Sequence, residues 1–309
     1  AALEVPIRFD RQPQPIEHLL MAAGRRRMDE RDRALAHALV YGVMRWRRRL
    51  DWVAARHARR PLAKIGGRLL NVLRMALLHI LFLERVPASA AVNTAVELAK
   101  AAAGSGGGGF VNGILRSVLR EPAPLAETSL PADPLERLGV EASFPDWLVR
   151  RWAARHGLDE TARLCRALNQ IPPMVLRANT LLATREDLLA AMAGRSAAVT
   201  PTAHAAHGVR LEGVAASFID TPAFREGWFQ VQDEAAQLVG ELAAPQPGEA
   251  VLDACAGLGG KTGHLAQLMG NRGTLVAADL TAGKLESLTA EMRRLGVGIV
   301  TPLAVDWQS

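Results

Sequence analysis

Three short apolar runs, at 250–254, 274–279 and 299–306, alternate with two helical patterns at 261–269 and 282–295. No other feature narrows the fold as much. Strand–helix–strand units close into parallel sheets through right-handed crossovers, so this part of the chain is expected to form a doubly wound, Rossmann-like α/β core. A further helix is expected at 232–242, just ahead of the first strand.

The first strand runs straight into glycine: Val251-Leu252-Asp253-Ala254-Cys255-Ala256-Gly257-Leu258-Gly259-Gly260-Lys261-Thr262. A strand, a glycine-rich turn and a helix start make a ligand cradle, because glycine admits close backbone approach and the helix start offers free N–H groups. Three ligand classes compete for it. A phosphate-binding Walker loop has its ending in Gly260-Lys261-Thr262, but its first glycine would fall on Cys255. A dinucleotide fingerprint begun at Gly257 would need glycine where Thr262 stands. The third class follows from Asp279 and Asp306, which end the next two apolar runs. In a parallel sheet all three strand tips open onto one crevice. An acid at the second tip can accept both ribose hydroxyls of an adenosine. One at the third can accept the exocyclic amine of adenine, leaving the glycine turn to face an amino-acid portion. That set describes S-adenosylmethionine. The plainer reading is that both aspartates only cap loops.

Residues 15–120 carry helical periodicity and little sign of strand. Leu35, Ala36, Leu39, Val43 and Trp46 make one apolar stripe along a helix over 32–50. Further helices are expected at 68–83, at 88–103 behind Pro87, and at 110–120, with the glycine run 104–109 as a loop. Charge divides the chain: residues 1–120 hold 21 Lys+Arg against 9 Asp+Glu, whereas 121–309 hold 16 against 22. A basic module ahead of a mildly acidic one is expected to hold a polyanion, with Arg25, Arg26, Arg27, Arg45, Arg47, Arg48 and Arg49 as the RNA-binding candidates. Guanidinium suits phosphate, although a biased genome explains the general excess of arginine over lysine equally well. Trp46 and Trp52 could stack on bases, but core packing is the better reading.

Residues 121–145 hold five prolines, Pro122, Pro124, Pro131, Pro134 and Pro145, and no periodicity. Beyond them, helices at 146–156, 159–168 and 185–193 and strands at 174–179 and 209–211 suggest a small α+β module. The expected division is thus an all-α domain over 1–125, a linker over 126–145, the α+β module over 146–227, and the N-terminal part of the Rossmann-like core over 228–309.

Cys165 and Cys255 sit in unrelated contexts and give neither a disulfide framework nor a zinc site. His204 and His207 read as a solvated loop, so no metal is expected. No apolar run reaches the roughly 18 residues of a membrane span, and the first residues lack a signal-peptide pattern. A cytoplasmic monomer without a membrane partner is expected.

At this point the motifs resemble a known family. Asp253-Ala-Cys-Ala-Gly-Leu-Gly-Gly-Lys-Thr262 is similar to the Asp-Ala-Cys-Ala-Ala-Pro-Gly-Gly-Lys-Thr loop of the Sun/Fmu (RsmB-type) ribosomal RNA cytosine-C5 methyltransferases, departing at Gly257-Leu258 where the family has Ala-Pro. The similarity continues in Pro172-Pro-Met-Val-Leu-Arg-Ala-Asn-Thr180 and Trp228-Phe-Gln-Val-Gln-Asp-Glu-Ala-Ala-Gln-Leu238. Asp32-Arg-Ala-Leu-Ala36, Leu39-Val-Tyr-Gly-Val43, Val86-Pro-Ala-Ser-Ala-Ala-Val-Asn93 and Phe110-Val-Asn-Gly-Ile-Leu-Arg116 resemble the NusB-type RNA-binding fold that such proteins carry.

The resemblance implies methyl transfer from S-adenosylmethionine to C5 of a cytosine in small-subunit (16S) ribosomal RNA. Cys255, Ala256, Gly257, Leu258, Gly259, Gly260 and Lys261 would face the methionine part, Asp279 the ribose and Asp306 the adenine. The family's nucleophilic cysteine attacks C6 of the base and makes C5 reactive. It follows the third strand, together with a Pro-Cys motif, so both are expected beyond Ser309. Cys165 and Cys255 are assigned to neither role. The core is expected to be C-terminally incomplete, and this chain alone is expected to transfer no methyl group. Two alternatives stand beside this reading: a non-catalytic RNA-binding scaffold with a retained cofactor fold, and a P-loop nucleotide-binding protein.

Overall fold

The computed structural model describes residues 2–24, 28–83, 87–121, 130–214, 218 and 220–308. It divides into two compact units, Ala1–Gln170 and Ile171–Ser309.

The first unit is helical. Helices α1 (Glu4–Arg11), α2 (Ile16–Ala22), α3 (Glu30–His57), α4 (Gly67–Phe82) and α5 (Ala88–Leu119) form a bundle. Its core joins Leu39, Val43, Leu50 and Val53 of α3 to Leu73 and Leu77 of α4 and Val111, Leu115 and Val118 of α5. Of the apolar stripe expected over 32–50, Leu39 and Val43 lie in this core, Trp46 packs against it and Ala36 is buried, whereas Leu35 is exposed. Asp29 opens this helix by accepting the N–H of Asp32 at 2.8 Å, and it continues to His57. Trp46 stacks on Phe82 with centroids 4.6 Å apart, partly buried against the core.

The glycine run expected as a loop is helical instead. Only Ala103 (φ −150°, ψ 26°) and Gly104 (φ 67°) depart from helical geometry, so α5 kinks there and resumes through the remaining glycines. The reason is close packing: a side chain on Gly107 would stand 2.8 Å from the carbonyl of Ala99, and one on Gly108 2.6 Å from Cγ of Lys100. Glycine costs a helix about 1 kcal/mol per residue, and this contact offsets that cost.

The stretch expected as a linker also carries structure. Helix α6 (Pro134–Glu141), capped by the Asp133 carboxylate on the N–H of Leu135 at 3.0 Å, precedes α7 (Asp146–His156) and α8 (Leu158–Leu168). Cys165 is buried there with Leu138, Ala142 and Val149, and burial pushes its thiol pKa up.

The second unit contains two sheets. Strands β1 (Met174–Ala178), β2 (Ser196–Pro201), β3 (Gly208–Val214) and β4 (Phe229–Val231) form an antiparallel sheet in the order β2-β3-β1-β4, with α9 (Arg185–Met192) and the short α10 (Pro222–Arg225) between strands. Strands β2 and β4 escape the sequence reading. The three-residue β4 pairs Leu176 with Val231, so residues expected to begin the core belong to the preceding sheet.

Helix α11 (Glu234–Ala243) leads into the second sheet, where β5 (Ala250–Asp253), β6 (Thr274–Asp279) and β7 (Val300–Ala304) are parallel in that order. Helices α12 (Gly260–Leu268) and α13 (Ala282–Arg294) connect them. Leu275 and Ala277 of β6 pack with Ala266 of α12 and Leu285, Leu288 and Met292 of α13. The predicted Rossmann-like alternation is the observed one.

The two sheets are fastened together within this unit. Asn179 donates from Nδ2 to the carbonyls of Gly227 and Leu295, each at 2.8 Å. Arg294 donates to Phe224 O at 2.6 Å and Phe229 O at 3.0 Å while lying 4.1 Å over the Phe224 ring.

Candidate functional site

The turn after β5 has the backbone that its glycines predict. Gly257 (φ +57°) and Gly259 (φ +86°) are left-handed. The turn closes through the N–H of Gly259 on Ala256 O at 2.9 Å. Apart from adjacent residues and the helix's own backbone, none of the described residues stands within 4 Å of where a Cβ on Gly257 or Gly260 would lie, so the backbone is open to a ligand at both points. Gly259 faces inward, where a Cβ would meet Leu288 Cγ at 2.9 Å and Met292 Cε at 3.0 Å. Ala256 is buried, while Cys255, Leu258 and Lys261 are exposed.

Asp279, at the end of β6, turns its carboxylate to this loop. Its Oδ2 accepts the N–H of Gly257 at 3.0 Å and its Oδ1 the N–H of Thr281 at 2.9 Å, with Lys284 Nζ 3.5 Å away. The Thr281 N–H, then that of Gly257 and the Lys284 ammonium, hold this carboxyl below the usual carboxylate range. Asp253 ties the other side, accepting the hydroxyl of the fully buried Thr262 at 2.8 Å.

Asp306 does not end a strand. It lies in the exposed turn after β7, where its Oδ1 accepts the N–H of Gln308 at 2.9 Å. Trp307 brings this turn across the sheet end, donating from Nε1 to Ala254 O at 2.9 Å. The turns after β5 and β7 therefore share one end of the parallel sheet with Asp279.

The sequence reading missed a buried polar cluster behind the loop. Arg177 of β1 is fully buried. It donates from Nε to Gln267 Oε1 at 3.0 Å, from Nη2 to Gln230 Oε1 at 2.9 Å, and from Nη1 to Gly260 O at 3.0 Å and to Gln232 Oε1. The signal was present as an arginine inside Met-Val-Leu-Arg-Ala and as glutamines alternating with Phe229 and Val231. His264 of α12 is buried beside it, and burial with the Arg177 charge pushes its pKa down to about 3.

The arginine candidates of α3 separate by environment. Arg48 donates to Phe144 O and, at 2.6 Å, to Asp146, and its N–H reaches Ser143 Oγ at 3.0 Å. Arg49 lies 5.5 Å from the Trp46 ring and 5.2 Å from the Phe82 ring and reaches Glu141 O at 3.3 Å. Arg47 pairs with Asp10 at 2.8 Å, and Arg45 is half-buried beside Tyr41, Met44 and Phe144. Arg25, Arg26 and Arg27 lie outside the described residues.

With this geometry in place, similarity to known proteins is informative. Residues 8–120 match the NusB family, 144–216 the ferredoxin-like domain of RsmF/B-like methyltransferases, and 241–309 the family described as 16S rRNA methyltransferase RsmB/F. The chain is 38% identical over 266 residues to a Synechocystis protein named "Probable ribosomal RNA small subunit methyltransferase B", covering 86% of this chain and 59% of that one. It is 34% identical over 308 residues to the protein of that name from Bacillus subtilis, covering 99% of this chain and 67% of that one. The solved crystal structure of PH0851 superimposes with a TM-score of 0.78 at 25% identity, over 99% of this chain and 68% of that one. The chain thus spans about three-fifths to two-thirds of the length of these relatives. With these three segment matches and 34% identity to the Bacillus relative over two-thirds of its length, the chain belongs to the RsmB/F family of 16S rRNA methyltransferases.

Proposed function

We propose that this chain holds the cofactor and RNA in an enzyme that methylates C5 of a cytosine in small-subunit ribosomal RNA. S-adenosylmethionine supplies the methyl group. In this reading Cys255 to Lys261 face its methionine part, Asp279 its ribose and Asp306 its adenine. The observation that carries the reading is the Gly257–Asp279 hydrogen bond, which ties a left-handed, sterically open turn to the carboxylate at the next strand tip. A P-loop is not favoured: its Thr262 hydroxyl would be needed at the ligand, and here it is buried and donated to Asp253.

The basic region 1–125 and the module 146–227 hold the RNA, with Arg45 and Arg47 toward phosphate and Arg48 and Arg49 supporting them. The target base is unstacked for reaction, since C5 of a paired cytosine lies within the duplex stack. Cys165, enclosed by apolar side chains, is not available to a base. A ribosomal RNA substrate implies a cytoplasmic protein, and we assign it as a monomer.

Calorimetric titration tests the cofactor reading: S-adenosylmethionine binds and adenosine triphosphate does not. Binding of the triphosphate alone would overturn it.

A further inference from the structure

Arg177 is an expensive residue to bury. A guanidinium taken out of water costs several kcal/mol unless a carboxylate accompanies it, and an apolar side chain of similar volume usually serves stability as well or better. Here its hydrogen-bond acceptors among the described residues are all neutral: the side-chain oxygens of Gln230, Gln232 and Gln267 and the carbonyl of Gly260. Burial pushes the arginine pKa down to about 9, which leaves it charged at neutral pH.

These acceptors belong to two different sheets' worth of structure. Gln230 and Gln232 lie on β4, in the antiparallel sheet with Arg177, whereas Gly260 and Gln267 lie on α12 of the parallel core. Gly260 is the first residue of that helix and the last glycine of the turn. Its carbonyl accepts both Arg177 Nη1 at 3.0 Å and Gln232 Nε2 at 3.2 Å. Asp279 meanwhile holds the N–H of Gly257, three residues earlier in the same turn. The turn is thus gripped at both ends, once from the strand tip in front and once from behind.

We propose that Arg177 is a positioning residue for the cofactor turn, with Gln232 as its partner: together they fix the Gly260 carbonyl and thereby set the open backbone of 257–260 against the ligand. The buried charge also adds to the positive end of α12, which favours an anionic group at the turn. The inference rests on the cofactor reading above, and goes beyond it in placing a determinant of cofactor affinity in the antiparallel module.

The test compares wild type with Arg177→Met, Arg177→Lys and Gln232→Met. S-adenosylmethionine affinity is measured by calorimetry well below each variant's unfolding temperature, and amide hydrogen exchange is followed at 255–261 and across β2 and β3. Arg177→Met is expected to weaken binding at least tenfold and to speed exchange at the turn while β2 and β3 keep their protection. Arg177→Lys recovers part of the affinity because the charge returns without the planar fork. Gln232→Met shifts both readouts in the same direction by a smaller amount, and stands in should Arg177→Met not fold. A folded variant with affinity within twofold of wild type and unchanged turn exchange overturns the proposal. If wild type itself binds no S-adenosylmethionine, the cofactor reading fails, and turn exchange alone still decides whether Arg177 positions 257–260.

Discussion

The carboxylate of Asp279 accepts the N–H of Gly257 at 3.0 Å, so the tip of β6 holds the glycine turn that follows β5. Two neighbouring strand ends are thereby locked into one surface. Asp279→Asn keeps the shape but loses the charge and one good acceptor, and hydrogen bonds to a charged acceptor are roughly twice as strong as neutral ones. The variant is expected to bind S-adenosylmethionine about tenfold or more weakly, read by calorimetry. Because its neighbours hold this carboxyl below the usual range, its contribution is lost only as pH falls through that depressed pKa, and wild-type affinity is expected to stay level from pH 8 to pH 5 so far as Asp279 sets it.

Gly257 and Gly259 are both left-handed, but only Gly259 is crowded. Gly259→Ala meets Leu288 and Met292 as well as backbone strain, and is expected to cost about 1–3 kcal/mol in urea unfolding. Gly257→Ala carries the strain alone, about 1 kcal/mol, yet places a methyl group on the open side of the turn. The expected result is an inverted ranking: Gly259→Ala is worse for stability, Gly257→Ala worse for cofactor binding relative to that stability loss.

His264 makes stability depend on pH. Neither ring nitrogen has a hydrogen-bond partner among the described residues, and its pKa falls from the ordinary 6.5 to about 3 in the fold. The unfolded chain therefore takes up a proton between these values that the folded chain refuses, and stability falls as pH drops below about 6.5. The slope from this group approaches about 1.4 kcal/mol per pH unit once the unfolded histidine is protonated. Thermal unfolding between pH 7 and 5 is expected to show a shallower decline for His264→Leu than for wild type. Equal declines would remove His264 from the account.

The arginines of α3 are expected to separate in experiment. Arg48 spans α3 and the segment around Phe144 and Asp146, so Arg48→Ala is expected to lose about 1–3 kcal/mol of stability. Arg45→Ala leaves the fold intact and reduces the salt dependence of RNA binding by about one phosphate contact. Filter binding of a small-subunit RNA fragment over a salt series, beside urea unfolding, reads both.

Some of this protein is written in local patterns. The strand–helix alternation, the glycine turn and the aspartate of β6 could be read directly, because period, turn chemistry and strand polarity act over a few residues. The helical stripe of α3 was legible in part: Leu39, Val43 and Trp46 do meet the bundle core, whereas Leu35 is exposed.

The remainder depended on contacts between distant segments. Residues 104–109 carry the composition of a loop, yet Gly107 and Gly108 continue a helix because only glycine fits against Ala99 and Lys100. Arg48 has the composition of an RNA contact, but its partners lie about a hundred residues away. Arg177 meets Gly260 across 83 residues of sequence, and a buried arginine leaves no periodic mark by which its partners could be named. Local propensity set the elements; long-range packing and the need to satisfy buried polar groups decided which side chains stand behind the turn.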